Sequence, residues 1–398
     1  MTDRRRRVCV ATRIFAPEAA AAAFRLDHLV RALAETCDVE VLTVRAPEEY
    51  EPPPRVRVRR WPVLRDGSGY VRGYLPYLSF DLPLALRLLF TRRPDVVVVE
   101  PPPTTGAVVR AVCAMRRIPY VWYAADVWSD AAASTGSSGI VVRVVRAMES
   151  WVLRGAAASL AVSDGVADRV RELGARDVTV VGNGVDTDVF CPEGESRSDS
   201  RTLVYAGTAS EWQGADVFVR AMPQVLEQVP DARLVYLGQG SAMAEISRLA
   251  SELPDGVVRV LGSVSPAESA AWLRGAAGAL VSIVPGQGYD FAIPTKVFAA
   301  LGTGTPVLYA GVGPVVEILA DGDLGESVEH DVDAVAASMA VLLRRTGISS
   351  GARSRRADWV LANRSLPATA ARAREVVQGV SRRRFRRGTS ASRGRLSE

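Results

Sequence analysis

From Val8 to Val181 the apolar positions keep two rhythms. Short unbroken apolar runs lie at Val8–Thr12, Val39–Val44, Asp95–Val99, Pro119–Tyr123, Ala157–Val162 and Val178–Val181, with a weaker one at Val56–Arg60. Runs of this length, apolar on both faces, predict buried strands of a parallel sheet. Between them lie stretches of helical spacing. Ala19–Glu35 carries Phe24, Leu26, Leu29, Val30 and Leu33 on one face, and Leu82–Phe90, Thr104–Arg117, Ile140–Leu153 and Asp164–Leu173 read as further helices. Strand–helix alternation of this kind predicts a doubly wound α/β domain.

The rhythm breaks at Val181–Phe190, where Gly and Asn permit left-handed turns, and the polar stretch Pro192–Ser200 reads as a linker. Alternation then restarts. Strands are expected at Leu203–Ala206, Arg233–Leu237, Val257–Leu261, Ala279–Ile283 and Pro306–Tyr309, and helices at 214–228, 241–252, 266–275, 295–301 and 331–345. The fold class is therefore α/β, with two doubly wound Rossmann-like domains, 1–187 and 188–363, facing each other across a cleft. Segment 355–380 reads as two more helices.

The densest chemistry lies in Tyr289–Leu308. A loop ends at Ile293-Pro294, helix formers run from Lys296 to Leu301, and Gly302 and Gly304 stop the helix before a buried strand. Pro294 suits the first helical position. Free N–H groups at such a helix start attract anions, phosphate above all. Lys296 lies in the first turn and is the only lysine in a chain whose other strong bases are all Arg. The abundance of Ala, Val, Gly, Pro and Arg suggests a GC-rich coding source, which drifts Lys to Arg wherever either serves. A surviving Lys points to a tight anion pocket that a planar guanidinium does not enter; a solvated lysine retained by chance is the bland alternative.

Hydrophobic content of 48% and charged content of 23% over 398 residues fit a globular protein with large cores. No apolar run reaches the roughly 18 residues of a membrane span. The N-terminal apolar stretch is too short for a signal peptide, so a cytoplasmic location is expected, with peripheral contact at the inner membrane face as a further option. The four cysteines show no CxxC spacing and read as buried free thiols; two histidines exclude a site built on several His. The net charge of +5 is misleading as a whole-chain property. Residues 381–398 carry seven Arg and one Glu, a local +6, which leaves −1 for the rest. This basic tail is expected to be disordered and solvated, or to touch anionic lipid. No nucleic-acid motif is present.

In order and spacing, several short motifs resemble one family: Phe15–Glu18 with Phe24–Leu26; Pro94–Pro103; Ile118–Val121 with Asp126–Trp128; Ala161–Asp164; Gly182–Asp186; Tyr205–Gly207; Tyr236–Gly240; and Pro294–Lys296 through Gly304–Pro306. From about Phe15 to Gln378 the chain is similar to GT-B-fold glycosyltransferases of the retaining family 4 type. That resemblance implies transfer of a hexose or N-acetylhexosamine from a nucleoside-diphosphate sugar, a UDP-sugar first, without metal or other cofactor and with retention at the anomeric carbon. It implies an N-terminal acceptor domain, a C-terminal donor domain, and last helices, 364–380, that pack back on the first domain. The donor set it implies is Asn183, Gly207, Thr208, Gln213, Gly238, Asp290, Phe291, Ala292, Pro294, Thr295 and Lys296. The acceptor set is Glu18, Arg25, Asp126 and Trp128. Asp126 and Lys296 carry the chemistry, Asp126 as a base or a binder of a sugar hydroxyl. The acceptor is left open: the apolar Tyr74–Phe90 region and the basic tail suit a lipid-linked saccharide, and the GC-rich composition equally suits a small natural-product molecule of actinobacterial type.

The pattern departs from the family in three ways. Thr208 and Gln213 stand where the family usually has Arg and Lys, Ala299 stands where many members place a Glu, and Ala19–Ala23 replaces the glycine-rich loop after the first strand. Turn glycines, a turn asparagine and an aromatic plug remain the structural alternatives for Gly207, Gly238, Asn183 and Trp128. A catalytically degenerate GT-B protein acting as a scaffold subunit is the competing functional reading.

Overall fold

The computed structural model describes residues 5–18, 21–46, 49–65, 74–134, 138–345 and 347–393. The chain divides into two compact units, Met1–Asn183 with Thr369–Glu398, and Gly184–Ala368.

The first unit contains β1 (Arg6–Ala11), α1 (Ala21–Ala34), β2 (Cys37–Val44), β3 (Val56–Trp61), α2 (Tyr74–Phe90), β4 (Val96–Val99), α3 (Pro103–Arg116), β5 (Tyr120–Ala124), α4 (Trp128–Ser134), α5 (Gly139–Gly155), β6 (Ala158–Ala161), α6 (Asp164–Glu172) and β7 (Val178–Val180). Its seven strands lie in the order β3-β2-β1-β4-β5-β6-β7, and every pair is parallel. All four residues of β4 and all five of β5 are buried, as sheets covered by helices on both faces require.

The second unit contains β8 (Thr202–Ala206), α7 (Asp216–Gln228), β9 (Arg233–Leu237), α8 (Met243–Ala250), β10 (Val258–Leu261), α9 (Pro266–Gly275), β11 (Gly278–Ser282), α10 (Thr295–Gly302), β12 (Val307–Ala310), α11 (Pro314–Ala320), β13 (Gly325–Val328), α12 (Val332–Arg344) and α13 (Ser350–Arg364). Its sheet is parallel throughout, in the order β10-β9-β8-β11-β12-β13. Two apolar clusters form its core, one holding Phe218, Met222 and Leu343, the other Val297, Phe298 and Leu301 of α10.

Helix α14 (Leu366–Arg393) returns the chain to the first unit. Ala373, Val377 and Val380 join that unit's core, the Arg372 guanidinium donates to the Val181 carbonyl at 2.8 and 3.0 Å, and Gln378 donates to Thr36 at 2.8 Å.

Four features depart from the sequence expectations. Helix α2 starts at Tyr74 instead of Leu82: Pro76 falls in its first turn, where no N–H is needed, and the helix runs through Pro83. Helix α4 and strand β13 carry too few apolar residues to announce themselves, and α11, though apolar, is only seven residues long, too short to show a helical period. Pro294 is the residue before α10 and not its first. The expected disordered tail is helical backbone as far as Arg393, since Arg and Ala extend a helix that is already nucleated by packing; residues 394–398 lie outside the described residues.

Candidate active site

In a sheet of this order, the strand sequence reverses direction between β8 and β11, and the loops leaving their carboxyl ends part to leave a crevice. Lys296 lies over that point. Its ammonium donates to the Tyr205 hydroxyl at 2.5 Å and to the Thr208 carbonyl at 2.8 Å, and sits 4.0 Å from the centre of the Tyr205 ring. Tyr205 is fully buried at the end of β8, and its own hydroxyl donates to the same carbonyl. No ion pair forms at Lys296 among the described residues. Burial without a counter-charge pushes its pKa down to about 7. No side chain caps the start of α10; Val297 N donates to the Pro294 carbonyl at 3.1 Å, and the positive end of the helix dipole lies beside this cation. An uncompensated cation at an uncapped helix start is electrostatically incomplete and favours an anion.

Glycines shape the floor. Gly207 has φ +133, and a Cβ there would lie 3.3 Å from Cε of Lys296. Gly238 has φ +131, and its Cβ would lie 2.2 Å from the Gly207 carbonyl oxygen. Gly238 therefore serves backbone packing that holds the Gly207 turn in place. Gly238→Ala is expected to cost about 2 kcal/mol or more, from left-handed strain plus this collision, as read from the shift of the urea midpoint.

The other expected donor residues divide. Thr208 is exposed, and its carbonyl holds Lys296. Gln213 is buried; its side-chain oxygen accepts from Ser210 N at 2.9 Å and closes the turn after β8, a capping task. The Asp290 carboxylate accepts from Gly286 N at 3.0 and 3.2 Å, which fixes the loop after β11. Tyr289, beside it, stacks on Trp212 at 4.4 Å between ring centres. Phe291 is exposed, Ala292 and Pro294 are half-buried and Thr295 is exposed on the approach to α10. Asn183 falls in the first unit, where its side-chain oxygen accepts from Arg25 at 3.5 Å.

In the first unit the expected acceptor residues are scattered among structural tasks. Glu18 pairs with Arg65 at 2.9 Å. Arg25, expected as an acceptor contact, is buried and paired with Glu100 at the end of β4, with its guanidinium 5.0 Å from the Tyr123 ring centre. Burial pushes the Glu100 carboxyl above its ordinary value, against the pull of Arg25. Asp126 follows β5; its residue is exposed and its carboxylate accepts from Val127 N at 2.8 Å. Partial desolvation, aided by the nearby charge of Asp130, raises its pKa. Trp128 meets Tyr77 edge-on at 6.1 Å, and Tyr77 in turn lies under the Arg13 guanidinium at 4.0 Å.

Sequence reasoning missed Glu149. It is fully buried on α5, and its two carboxylate oxygens accept from Trp128 N at 2.9 Å and Ser129 N at 3.0 Å. It thereby caps α4 from another helix and fixes the turn that carries Asp126 and Trp128. The signal was present: Glu149 stands three and four residues before the buried Val152 and Leu153, on the core-facing stripe of α5. Glu149→Ala is expected to lower stability by about 2 kcal/mol, through two unsatisfied helix N–H groups and a small void, read by urea unfolding. Tyr205 and Glu100 were likewise given no role in advance. A carboxylate that follows a wholly apolar strand was the clue to Glu100.

The chain thus has two doubly wound units, one of which holds a cation without an ion-pair partner among the described residues, at a helix start by its switch point. Residues 22–189 match the family model described as Glycosyltransferase Family 4, and residues 200–345 match that of Glycosyl transferases group 1; the chain belongs to this glycosyltransferase family, and its fold is GT-B. It is 35% identical over 179 residues to a D-inositol 3-phosphate glycosyltransferase of Nocardioides sp., covering 39% of this chain and 38% of that one. It is 28% identical over 211 residues to a GDP-mannose-dependent alpha-(1-6)-phosphatidylinositol monomannoside mannosyltransferase of Mycolicibacterium smegmatis, covering 49% and 55%. The matched stretches thus span about a third to a half of these relatives' lengths. Among solved structures it is similar to HepE of Anabaena in complex with UDP and glucose, with TM-score 0.66 and 16% identity over 93% of this chain and 99% of that one.

Proposed function

We propose that this chain moves a hexose or N-acetylhexosamine from a nucleoside-diphosphate sugar to an acceptor hydroxyl, with retention at the anomeric carbon and without a metal. The observation that carries the reading is Lys296, a partly buried ammonium without a counter-ion beside the uncapped start of α10. Among the described residues there is no cluster of three or more groups able to hold a metal ion. When the bond from anomeric carbon to diphosphate breaks, the negative charge that develops on the leaving oxygen is received by the α10 amides and Lys296. The acceptor attacks from the same face. The raised basicity of Asp126 suits it to take up the acceptor proton.

UDP-sugars are the first donors to test, because HepE binds UDP and glucose, and GDP-sugars the second, because the Mycolicibacterium relative is named for GDP-mannose. Both kinds of acceptor stay in play: one relative is named for an inositol phosphate, the other for a phosphatidylinositol glycolipid. For a lipid-linked acceptor, the basic segment 381–398 would lie beside anionic headgroups. No described helix is long and apolar enough to cross a membrane.

A scaffold reading is favoured by one observation: Gln213 and Thr208, which replace the usual cations, are engaged within the protein. A thermal-shift screen of nucleotide sugars, followed by turnover assays on the hits, separates the readings. A donor that raises Tm by mass action and is consumed supports the enzyme; stabilisation without turnover, or none at all, supports the scaffold.

A further inference from the structure

The second unit has a further cavity at the end of its sheet away from Lys296. It measures about 290 Å³ and lies beneath the amino ends of β8, β11 and β12, where Ser200, Ala277 and Pro306 line it. The crevice at Lys296 opens past the carboxyl ends of the same strands, about 15 Å away for strands of four or five residues.

The rest of the wall is basic. Arg345 follows α12, and Arg353 and Arg356 reach the cavity from α13. Asp323 is the one acid on the wall among the described residues, and it is shared: its carboxylate meets Arg356 at 2.9 Å and Arg355 at 3.4 Å. Asp199, next to Ser200, is taken by Arg233 at 3.5 Å and accepts from the Thr202 hydroxyl at 2.8 Å. Four guanidiniums against one carboxylate leave a local charge of +3.

Two of these arginines differ in what they have left to offer. Arg356 is 3% exposed and fully engaged, donating to the carbonyls of Gly304, at 3.1 Å, and Asp323 besides its ion pair. Arg353 gives one Nη to the Arg274 carbonyl at 2.6 Å; its Nε and other Nη have no partner, and no carboxylate pairs with it, among the described residues. Burial with no opposing charge pushes its pKa down. Capping carbonyls therefore accounts for Arg356 and for one donor of Arg353, and leaves the other donors over for the cavity. Gly304 makes the placement possible: its φ is +79, and a Cβ there would lie 2.7 Å from Cβ of Arg353. Helix α13 also starts at the cavity, with Ser349 as its cap and no acid in its first turn, so its dipole adds to the positive field.

We propose that this cavity is a second anion site of the second unit, which takes a phosphate group, free or as the monoester of a small sugar, between Arg353 and Arg345. Guanidinium forks match phosphate oxygens, and desolvation at Arg353 strengthens the pairing. The volume is at the small end of small-molecule pockets, roughly 300 Å³, which suits a sugar phosphate and not a whole nucleotide sugar. The site is independent of the sugar-transfer reading, because none of these residues belongs to the donor or acceptor set.

The test is calorimetric titration of glucose 6-phosphate and of inorganic phosphate into the wild type, Lys296→Ala, Arg353→Gln and Arg345→Glu. Wild type and Lys296→Ala are expected to bind alike, and Arg353→Gln at least roughly tenfold more weakly, as loss of a charge-assisted bond implies. Arg345 is exposed, so Arg345→Glu should keep the wild-type Tm, and the acid it places at the cavity should weaken binding by a similar factor. Tighter binding of glucose 6-phosphate than of inorganic phosphate assigns the site to a sugar phosphate; equal binding assigns it to free phosphate. Binding that survives both arginine changes, or that Lys296→Ala abolishes, overturns the proposal, since the probe then sits elsewhere. So does a wild type that binds neither probe at millimolar concentration.

Discussion

Lys296→Ala is expected to lower sugar transfer roughly 100-fold or more, the loss typical of one preorganised donor to a developing anion. Lys296→Arg should do little better. Gly207 leaves Cε of Lys296 only as much room as a missing Cβ supplies, and the ammonium already reaches both Tyr205 and Thr208, so a wider planar guanidinium must displace the floor. The pH dependence follows from the same burial. With a pKa of about 7 the free protein holds Lys296 charged below pH 7 and increasingly neutral above it. A bound diphosphate raises that pKa. Affinity for a nucleotide sugar, whose diphosphate does not titrate in this range, is therefore constant below pH 7 and falls as pH rises beyond it, by up to tenfold per unit, until the bound-state pKa is reached. Stability moves the other way. The folded pKa lies below the unfolded value, so the unfolded chain holds more protons between the two and the folded state gains stability as pH rises through that window. Lys296→Met should thus raise Tm of the ligand-free protein more at pH 6 than at pH 9, while abolishing donor binding. A flat difference across pH would show that the ammonium carries no burial penalty.

Arg25→Met should be among the most destabilising single changes in the first unit, at about 3–5 kcal/mol, because it strands Glu100 as a buried charge. Arg25→Met/Glu100→Met should recover most of the loss, and a double-mutant cycle by urea unfolding measures the coupling. The sign with pH is definite. In the single variant the folded pKa of Glu100 stays above its unfolded value, because its paired cation is gone and only the weaker pull of Arg13 remains. Its destabilisation is therefore relieved at low pH, where the carboxyl is neutral in both states, and grows as pH rises through the carboxylate range. Equal losses at pH 5 and pH 7 would contradict a buried, uncompensated carboxylate. Because Arg25 supports the end of β4, its loss is a loss of scaffold; a variant that kept full stability yet lost activity would instead return Arg25 to the acceptor set.

The two sheets were legible because parallel strands buried on both faces need unbroken apolar runs, and this chain supplies them from Val8 to Val181 and again from Leu203 to Tyr309. The last helix was legible from its apolar positions near Val376-Val377, and its return to the first unit only from the family resemblance. Elements at the edges were not: β13 has a single apolar residue, and α11, though apolar, is a seven-residue helix too short to show a helical period. Lys296 stood out by its uniqueness, since one lysine among 48 arginines is a chemical exception visible without coordinates. Its partners did not stand out, because Tyr205 is an ordinary core tyrosine in sequence and the Thr208 contact uses a backbone carbonyl. Gln213 looked like a ligand residue because its place in the chain is one the family uses for a cation, while its hydrogen bond to Ser210 N is a local cap that only geometry displays. Glu149 acts across twenty-one residues of sequence, and no local pattern encodes which helix end a buried carboxylate will meet.

The central claim is that the diphosphate of a nucleotide sugar binds at Lys296 and the start of α10. Calorimetric titration of UDP- and GDP-sugars into the wild type and Lys296→Ala at pH 6.5 tests it most directly. The account predicts binding of one donor by the wild type, and affinity at least roughly tenfold weaker in the variant, as loss of a charge-assisted bond implies. Equal affinity in the two proteins would contradict it.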